Sequence, residues 1–533
     1  MWRGFWFLVD TAIGMAERFE KHSRTFSLLT LLSRLTGLAR DATLSRVFGA
    51  AGVMDAFFFA FIIPNLFRRL FGEGALASAF IPTYAQLDKS DPVVAKRLAC
   101  LVIACLVVVL GCLTLLGELG LYIVSLYSTD YTLALKLMMI MLPYMPLVCV
   151  VAIFGAMLQV HGKFGPSAAA PIVLNICLIA AAIVGIAATK DINAQTHVSF
   201  VAAAVVLAGV IQVLWMLLAL RGRGWWTRDL RLARSELRKI MRLAGPMILG
   251  LGVLQLNTFF DALIASYPTT VGSTIFGYEY PLSQGAMAAV SFAQRLYQFP
   301  LGVFGIAIAT AIYPALARLA NDEDAFADTL RRGLRLVVFI GLPASAGLII
   351  VAQPLSATIL QGGDFSASDS DRVAFVLLGY ATAVWAYSMT HVLTRAFYAL
   401  GEVKTPVRIA LSMVALNLVL NCTLIWTPLK ESGLAWSTAI CAVIQASLLL
   451  WRANSKIKNI VDKSVIISWT KTILATIVMF IIAWFVAAWL GAQTTWTGSL
   501  VTLLAVVFVG ITTMFAVAGT LKMPELWWAI GKR

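Results

Sequence analysis

The chain has 533 residues, of which 60% are hydrophobic and only 13% charged. A soluble protein of this size carries about a quarter charged residues, so a soluble fold is excluded. The formal charge of +15 does not point to nucleic acid, because most basic residues sit in short loops between apolar runs. Those runs reach the roughly 20 residues a bilayer-spanning helix needs.

Residues 1–25 carry acids and lack a small-residue cleavage site, so they read as an N-terminal extension rather than a secretory signal. Two readings stay open there: an interfacial amphipathic helix, or a dispensable lead with Met15 as the start. Apolar spans follow at roughly 26–49, 53–86, 98–127, 131–160, 166–189 and 198–220, an N-terminal lobe covering 26–220. The segment 221–242, "RGRGWWTRDLRLARSELRKIMR", predicts a basic amphipathic helix in a cytoplasmic loop, with Trp225 and Trp226 near the headgroups. A second lobe covers 243–451, with spans at 243–267, 284–319, 336–360, 373–399, 406–426 and 432–451. Residues 452–533 add two further spans, 467–491 and 497–521, and a tail. The predicted fold is an all-α polytopic membrane protein with about fourteen transmembrane helices.

Loop charge sets the orientation. Lys89, Lys96, Arg97, Lys163, Lys404 and Lys456 lie on one side with the basic 221–242 loop, and only Lys136, Lys190, Arg372 and Lys430 on the other. The positive-inside rule places the first set, and both termini, in the cytoplasm. The chain also repeats itself. "ALASAFIPTYAQL" (75–87) matches "AIATAIYPALARL" (307–319), and "GKFGPSAAAPIVLNI" (162–176) is echoed by "GEVKTPVRIALSMVALNL" (401–418). Six spans separate the copies, which predicts two pseudo-symmetric six-helix lobes inserted the same way up, with substrate handled between them.

Charges stand inside these spans. The first reads "SRLTGLARDATLSRVFG" and holds Arg34, Arg40, Asp41 and Arg46. The second, through "PNLFRRLFGEG", adds Asp55, Arg68, Arg69 and Glu73, and the eighth adds Arg295. A charge at the bilayer centre costs about 2.5–3.5 kcal/mol, so these helices face protein or water. Buried ion pairing accounts for Arg40 with Asp41 and Arg69 with Glu73, but the bases outnumber the acids. A surplus of guanidinium implies an anionic guest, and its fork suits phosphate or carboxylate.

No P-loop, H-E-x-x-H motif or paired-cysteine spacing occurs, and the seven cysteines lie in apolar runs. Nothing in the sequence marks an enzyme. Transport is then driven by an ion gradient, the membrane potential or the substrate's own gradient. Asp261, Asn417, Asn421 and Thr438 offer carboxylate, amide and hydroxyl oxygens for a candidate hard-cation site. Helix-to-helix hydrogen bonding is the other reading of the asparagines.

The patterns S-R-x-x-G-x-x-R-D (33–41) and N-L-x-R-R-x-x-x-E-G (65–74), with "AQRLYQFPLGVFGIAI" (293–308), resemble the MurJ/MviN lipid II flippases of the multidrug/oligosaccharidyl-lipid/polysaccharide exporter superfamily. The resemblance covers essentially the chain after residue 25. It implies a central cationic cavity using Arg34, Arg40, Asp41, Asp55, Arg68, Arg69, Glu73 and Arg295, with Arg40, Asp41 and Arg295 holding a diphosphate. It also implies a lipid-tail groove on the last two spans and a sodium site including Asp261. Some members carry a second Asp where this chain has Asn421. The implied function is flipping of lipid II, an undecaprenyl-diphosphate-linked peptidoglycan precursor, to the outer leaflet of the bacterial inner membrane. The implied protein works as a monomer, with the cell-wall synthesis machinery as a potential associate and no nucleic acid partner. Export of another polyprenyl-diphosphate-linked saccharide is the alternative, and a non-transport scaffold or transferase is the reading from a different class.

Overall fold

The computed structural model describes residues 28–72, 75–127, 133–188, 193–222, 225–229, 233–457 and 459–529. The expected extension over 1–25, and Glu73, lie outside the described residues. Helices dominate because lipid offers no partner for a backbone N–H or C=O, so each spanning segment satisfies its own. Among the described residues nine helices are long and apolar enough to cross a membrane. A tenth span arises if the pair α13 (Ala367–Ala381) and α14 (Val384–Ala399), bent by 42°, counts as one. The other four expected crossings are also helical. They are α1 (residues 28–48), α2 (Gly52–Phe67) with α3 (Ala75–Ser90), α9 (Arg234–Thr270), and α10 (Ala286–Pro300) with α11 (Ile306–Arg318). These four hold every in-membrane charge the sequence singled out that lies among the described residues.

The described chain divides into two units: residues up to Leu44 with Ala56–Gln255, and Ser45–Asp55 with Leu256 onward. In the first, α4 (Pro92–Tyr127) is 36 residues long, about 54 Å at 1.5 Å per residue, well beyond the roughly 30 Å of hydrocarbon. It packs with α3 and α6 (Tyr144–Val160), while α7 (Gly165–Ala188) and α8 (Ala194–Leu220) pair with each other. α5 (Leu133–Met141) leads into α6.

The expected amphipathic helix over 221–242 does not form as such. Gly222, at φ +82°, follows the end of α8, and residues 225–229 run without helix. Regular helix starts at Arg234 and continues straight into the membrane-spanning part of α9. Trp225 packs edge-on against Phe154 at 5.2 Å, and its carbonyl accepts from Cys100 Sγ at 3.3 Å. Arg97 pairs with Asp229 at 2.7 Å, so this stretch is fastened to α4 and α6. Trp226 projects outward, 66% exposed.

In the second unit, α12 (Glu323–Leu360) packs against α17 (Lys463–Leu490) and α18 (Trp496–Thr520), while α13 and α14 pack on α16 (Ser432–Lys456). Side-chain caps at Asp322, Asp462 and Thr495, and a capping box at Ser366–Asp369, satisfy the orphan N–H groups that start these helices. A two-residue β-ladder, β1 (Thr274–Ile275) with β2 (Tyr278–Glu279), forms a hairpin ahead of α10.

The internal repeat is visible in each unit. α2 runs into a five-residue π-helix, Arg68–Gly72, before α3; α10 runs into another, Leu301–Gly305, before α11. In the register of the sequence repeat the two π-segments are offset by a single residue. The second repeat agrees as well. Gly162 and Gly401 both take φ +73°. Lys163 N–H donates to the Leu158 carbonyl and Glu402 N–H to the Phe397 carbonyl, the same helix-ending turn twice. α7 and α15 (Lys404–Leu424) begin just beyond these turns.

Candidate functional site

The Arg-bearing part of the first unit is built from α1, α2, its π-segment, α7 and α9. Arg40 lies on α1 with its side chain 11% exposed, beside Asp41 at 3%. Its Nε and Nη2 both donate to Asp41 Oδ1, at 2.9 and 2.5 Å. Its Nη1 donates to Asn175 Oδ1 on α7 at 3.2 Å. Asn175 in turn donates to the Ser33 carbonyl at 3.3 Å and Thr36 Oγ1 at 3.0 Å. Arg34, one turn and a half earlier on α1, is half-buried and makes no hydrogen bond or ion pair among the described residues.

The π-segment explains how Arg68 and Arg69, neighbours in sequence, both find polar surroundings. A π-turn widens the helix and shifts the facing of successive side chains, and such turns gather at functional sites. Arg68 donates through Nε and Nη2 to Asn65 Oδ1, at 3.1 and 2.9 Å. Arg69 Nη1 donates to Gln255 Oε1 on α9 at 3.2 Å. Neutral amide oxygens therefore orient three of the guanidinium groups without cancelling their charge. Arg295 is half-buried on α10, five residues ahead of Pro300.

Asp55 departs from the expected substrate contact. It is fully buried, and both its oxygens are taken within the second unit. Oδ2 accepts from Gly285 N–H at 2.6 Å and Thr269 Oγ1 at 2.8 Å, and Oδ1 accepts from Ala288 N–H at 2.8 Å. Gly285 is the N-cap residue of α10 and has no side chain to satisfy the helix start. The carboxylate of α2 does that work from outside, and its charge suits the positive end of the helix dipole. Its role is to hold α10.

The candidate cation residues do assemble, all in the second unit. Asn421 Nδ2 donates to Asp261 Oδ1 at 2.5 Å and Asn417 Oδ1 at 2.9 Å. Asn417 Nδ2 donates to Thr438 Oγ1 and Ser437 Oγ, each at 3.3 Å, and Ser437 donates to Asn421 Oδ1. With the Asn417 amide turned over, it reaches Asn257 Oδ1 at 3.0 Å and Asp261 Oδ1 at 3.2 Å. Asp261, Asn417 and Asn421 are all at most 6% exposed. A buried carboxylate, with no cationic side chain in an ion pair with it among the described residues, carries one negative charge; the amides around it aim N–H groups at its oxygen here, and the set also holds amide and hydroxyl oxygens, which are hard donors. That chemistry fits a monovalent alkali cation. No group of three His, Cys, Asp or Glu that could hold a metal occurs among the described residues.

Sequence reasoning missed Asn65, Asn175, Gln255, Asn257 and Ser437. The available signal was an amide or hydroxyl placed in an otherwise apolar run.

A family model described as "Lipid II flippase MurJ" matches residues 44–509. The chain is 32% identical over 461 residues to the probable lipid II flippase MurJ of Vibrio cholerae, covering 82% of this chain and 83% of the relative. It is 31% identical over 444 residues to the lipid II flippase MurJ of Burkholderia cenocepacia, covering 80% and 82%. A solved structure of lipid II flippase MurJ in an inward closed conformation superimposes with a TM-score of 0.74 at 21% identity, covering 93% of this chain and 99% of that one. An inward-facing multidrug resistance MATE family transporter of the MOP superfamily shares the fold, with a TM-score of 0.61 at 13% identity over 82% of this chain and 98% of that one.

Proposed function

Since the chain belongs to the lipid II flippase MurJ family, we propose that it moves lipid II from the inner to the outer leaflet of the bacterial inner membrane by alternating access. It is a transporter and not an enzyme. The observation that carries this reading is the charge balance around α1 and α2. With Arg46 exposed near the end of α1 and left out of the count, Arg34, Arg40, Arg68 and Arg69 are set against Asp41 and Glu73, since Asp55 is engaged at α10. A surplus of two positive charges inside a membrane protein calls for an anion, and a diphosphate supplies it.

Arg40 presents the most developed contact. A guanidinium has five N–H groups; Asp41 and Asn175 take three of Arg40's, which leaves one on each Nη for phosphate oxygens. Arg34, Arg68 and Arg69 add charge and further donors, and we assign the same anion-binding role to Arg295. The sugar–peptide head cannot enter hydrocarbon without losing its water partners, and polar protein groups replace them. The undecaprenyl tail stays in lipid along α17 and α18, whose outer faces carry Ile466, Phe485, Phe508 and Ile511 exposed. Sodium would sit with Asp261, Asn417, Asn421 and Thr438, joined by Asn257 and Ser437. When bound, it supplies the positive charge that neutralises Asp261. The membrane potential, worth about 2.3 kcal/mol per charge per 100 mV, biases the return of the emptied, net-positive site towards the cytoplasm. Basic loops support cytoplasmic termini, and we assign a monomer that associates with cell-wall synthesis enzymes.

The test is a leaflet-resolved measurement of lipid II in cells with and without the protein. Depletion is expected to trap lipid II in the inner leaflet. An unchanged outer-leaflet pool, with a different polyprenyl-diphosphate saccharide accumulating, would move the assignment to that substrate.

A further inference from the structure

Asn175 lies mid-way along α7 in an apolar stretch, 4% exposed, and yet uses both ends of its amide on α1. The amide orientation is fixed by its neighbours. Arg40 offers only N–H groups, so the oxygen must face it, and the nitrogen then faces the Ser33 carbonyl and the Thr36 hydroxyl. Thr36 is locked too, because its hydroxyl donates to the same Ser33 carbonyl at 3.0 Å. Asp41 alone would leave Arg40 free to swing: both contacts to it converge on a single oxygen, Oδ1, and a fork held at one point can rotate about it. The Asn175 contact, on the other nitrogen, is a second point of attachment. Two points fix the plane of the guanidinium.

We propose that Asn175 is a positioning residue for substrate binding: it sets the plane of the Arg40 guanidinium, so that the two N–H groups left on Nη1 and Nη2 present a preformed pair of donors to a phosphate. The inference rests on the reading of Arg40 as a diphosphate contact. Its physical basis is preorganisation, since a fork already in place gives up less rotamer freedom on binding than one that must be ordered by the ligand. A neutral amide suits the task better than a second carboxylate, because it orients the cation without cancelling the charge that attracts the anion. The second repeat offers a parallel. Asn417 of α15, three residues beyond the position that the Gly162–Gly401 register matches to Asn175, directs its amide at the network around the anion Asp261, as Asn175 directs its own at a cation.

The experiment uses the full chain, purified and reconstituted in nanodiscs, with lipid II as the probe, and measures apparent affinity for Asn175→Leu, Thr36→Ala and Arg40→Ala. Asn175→Leu keeps the volume and removes both arms of the amide, while Thr36→Ala removes only a helix-tying arm. Asn175→Leu is expected to weaken binding up to about tenfold, the cost of ordering one rotamer-rich side chain on binding, while Thr36→Ala binds as wild type. In the Arg40→Ala background, Asn175→Leu is expected to cause no further loss. Equal weakening by Thr36→Ala and Asn175→Leu, or additive losses in the double variant, would show that Asn175 merely ties helices and would overturn the proposal. So would wild-type binding by Asn175→Leu. Wild-type binding by Arg40→Ala would instead overturn the diphosphate reading itself. Thermal melting of each variant separates misfolding from lost affinity, and if Asn175→Leu fails to fold, Asn175→Ser, which keeps a shorter polar group, takes its place with the same outcomes.

Discussion

Replacing Asp55 by alanine removes one carboxylate and strands three donors. Two are backbone N–H groups, of Gly285 and Ala288, which α10 cannot satisfy itself because they belong to its first turn. The third, the Thr269 hydroxyl, can rotate to another acceptor. A hydrogen bond to a charged group contributes about 1.5–3 kcal/mol, and a buried donor left unmade costs about 1–3 kcal/mol. Two such backbone contacts give roughly 3–5 kcal/mol after allowance for the charge that no longer has to be buried. Asp55→Asn keeps one oxygen but turns an NH2 group towards a backbone N–H, so it should cost roughly half as much. The assay is amide hydrogen exchange in detergent. With tenfold per 1.4 kcal/mol, exchange at Gly285 and Ala288 is expected to accelerate about a hundredfold or more in Asp55→Ala and about tenfold in Asp55→Asn. Unchanged protection at both amides in Asp55→Ala would refute the assignment of this carboxylate as the cap of α10.

Four further outcomes are expected. Arg40→Ala and Arg295→Ala should each abolish growth complementation while the protein still reaches the membrane, checked by immunoblot of membrane fractions; normal growth at native expression would remove them from the substrate site. Asp261→Asn should make transport into proteoliposomes insensitive to replacement of sodium by choline, and a retained sodium dependence would place the cation elsewhere. Gly285→Ala should destabilise severely: φ is +89° and an added Cβ would run into the Ala50 carbonyl, a backbone contact that cannot move aside. A melting temperature equal to that of the wild type would contradict that geometry. In the loop between α14 and α15, Lys456, and then the Thr405 hydroxyl, hold the Glu402 carboxyl below its ordinary value of 4.5. A carboxylate lowered in the folded state contributes stability above its unfolded pKa and loses it as the pH falls through the folded one. The stability difference between wild type and Lys456→Ala should therefore be at most about 1 kcal/mol at pH 7 and vanish at acid pH. A difference that persisted at acid pH would argue against this pairing.

The sequence by itself determined the membrane class, the helical positions, the internal duplication and the charge surplus. These are one-dimensional properties: a bilayer demands long apolar runs with internally bonded backbones, and a charge in such a run is visible wherever it sits in the chain. It could not tell which charges stay available. Arg40, Asp41 and Asp55 look alike as in-membrane ions, yet one carboxylate lies beside its guanidinium while the other caps a helix more than two hundred residues away. Partners such as Asn175 for Arg40, Gln255 for Arg69, and Ser437 in the Asp261 network come from distant segments, so only packing selects them. The same holds for the stretch after α8, where basic periodicity predicted a surface helix but Trp225 and Asp229 found partners on α6 and α4 instead. Hydrogen bonding and side-chain docking depend on three-dimensional proximity, and that is the part of the site that tertiary structure decided.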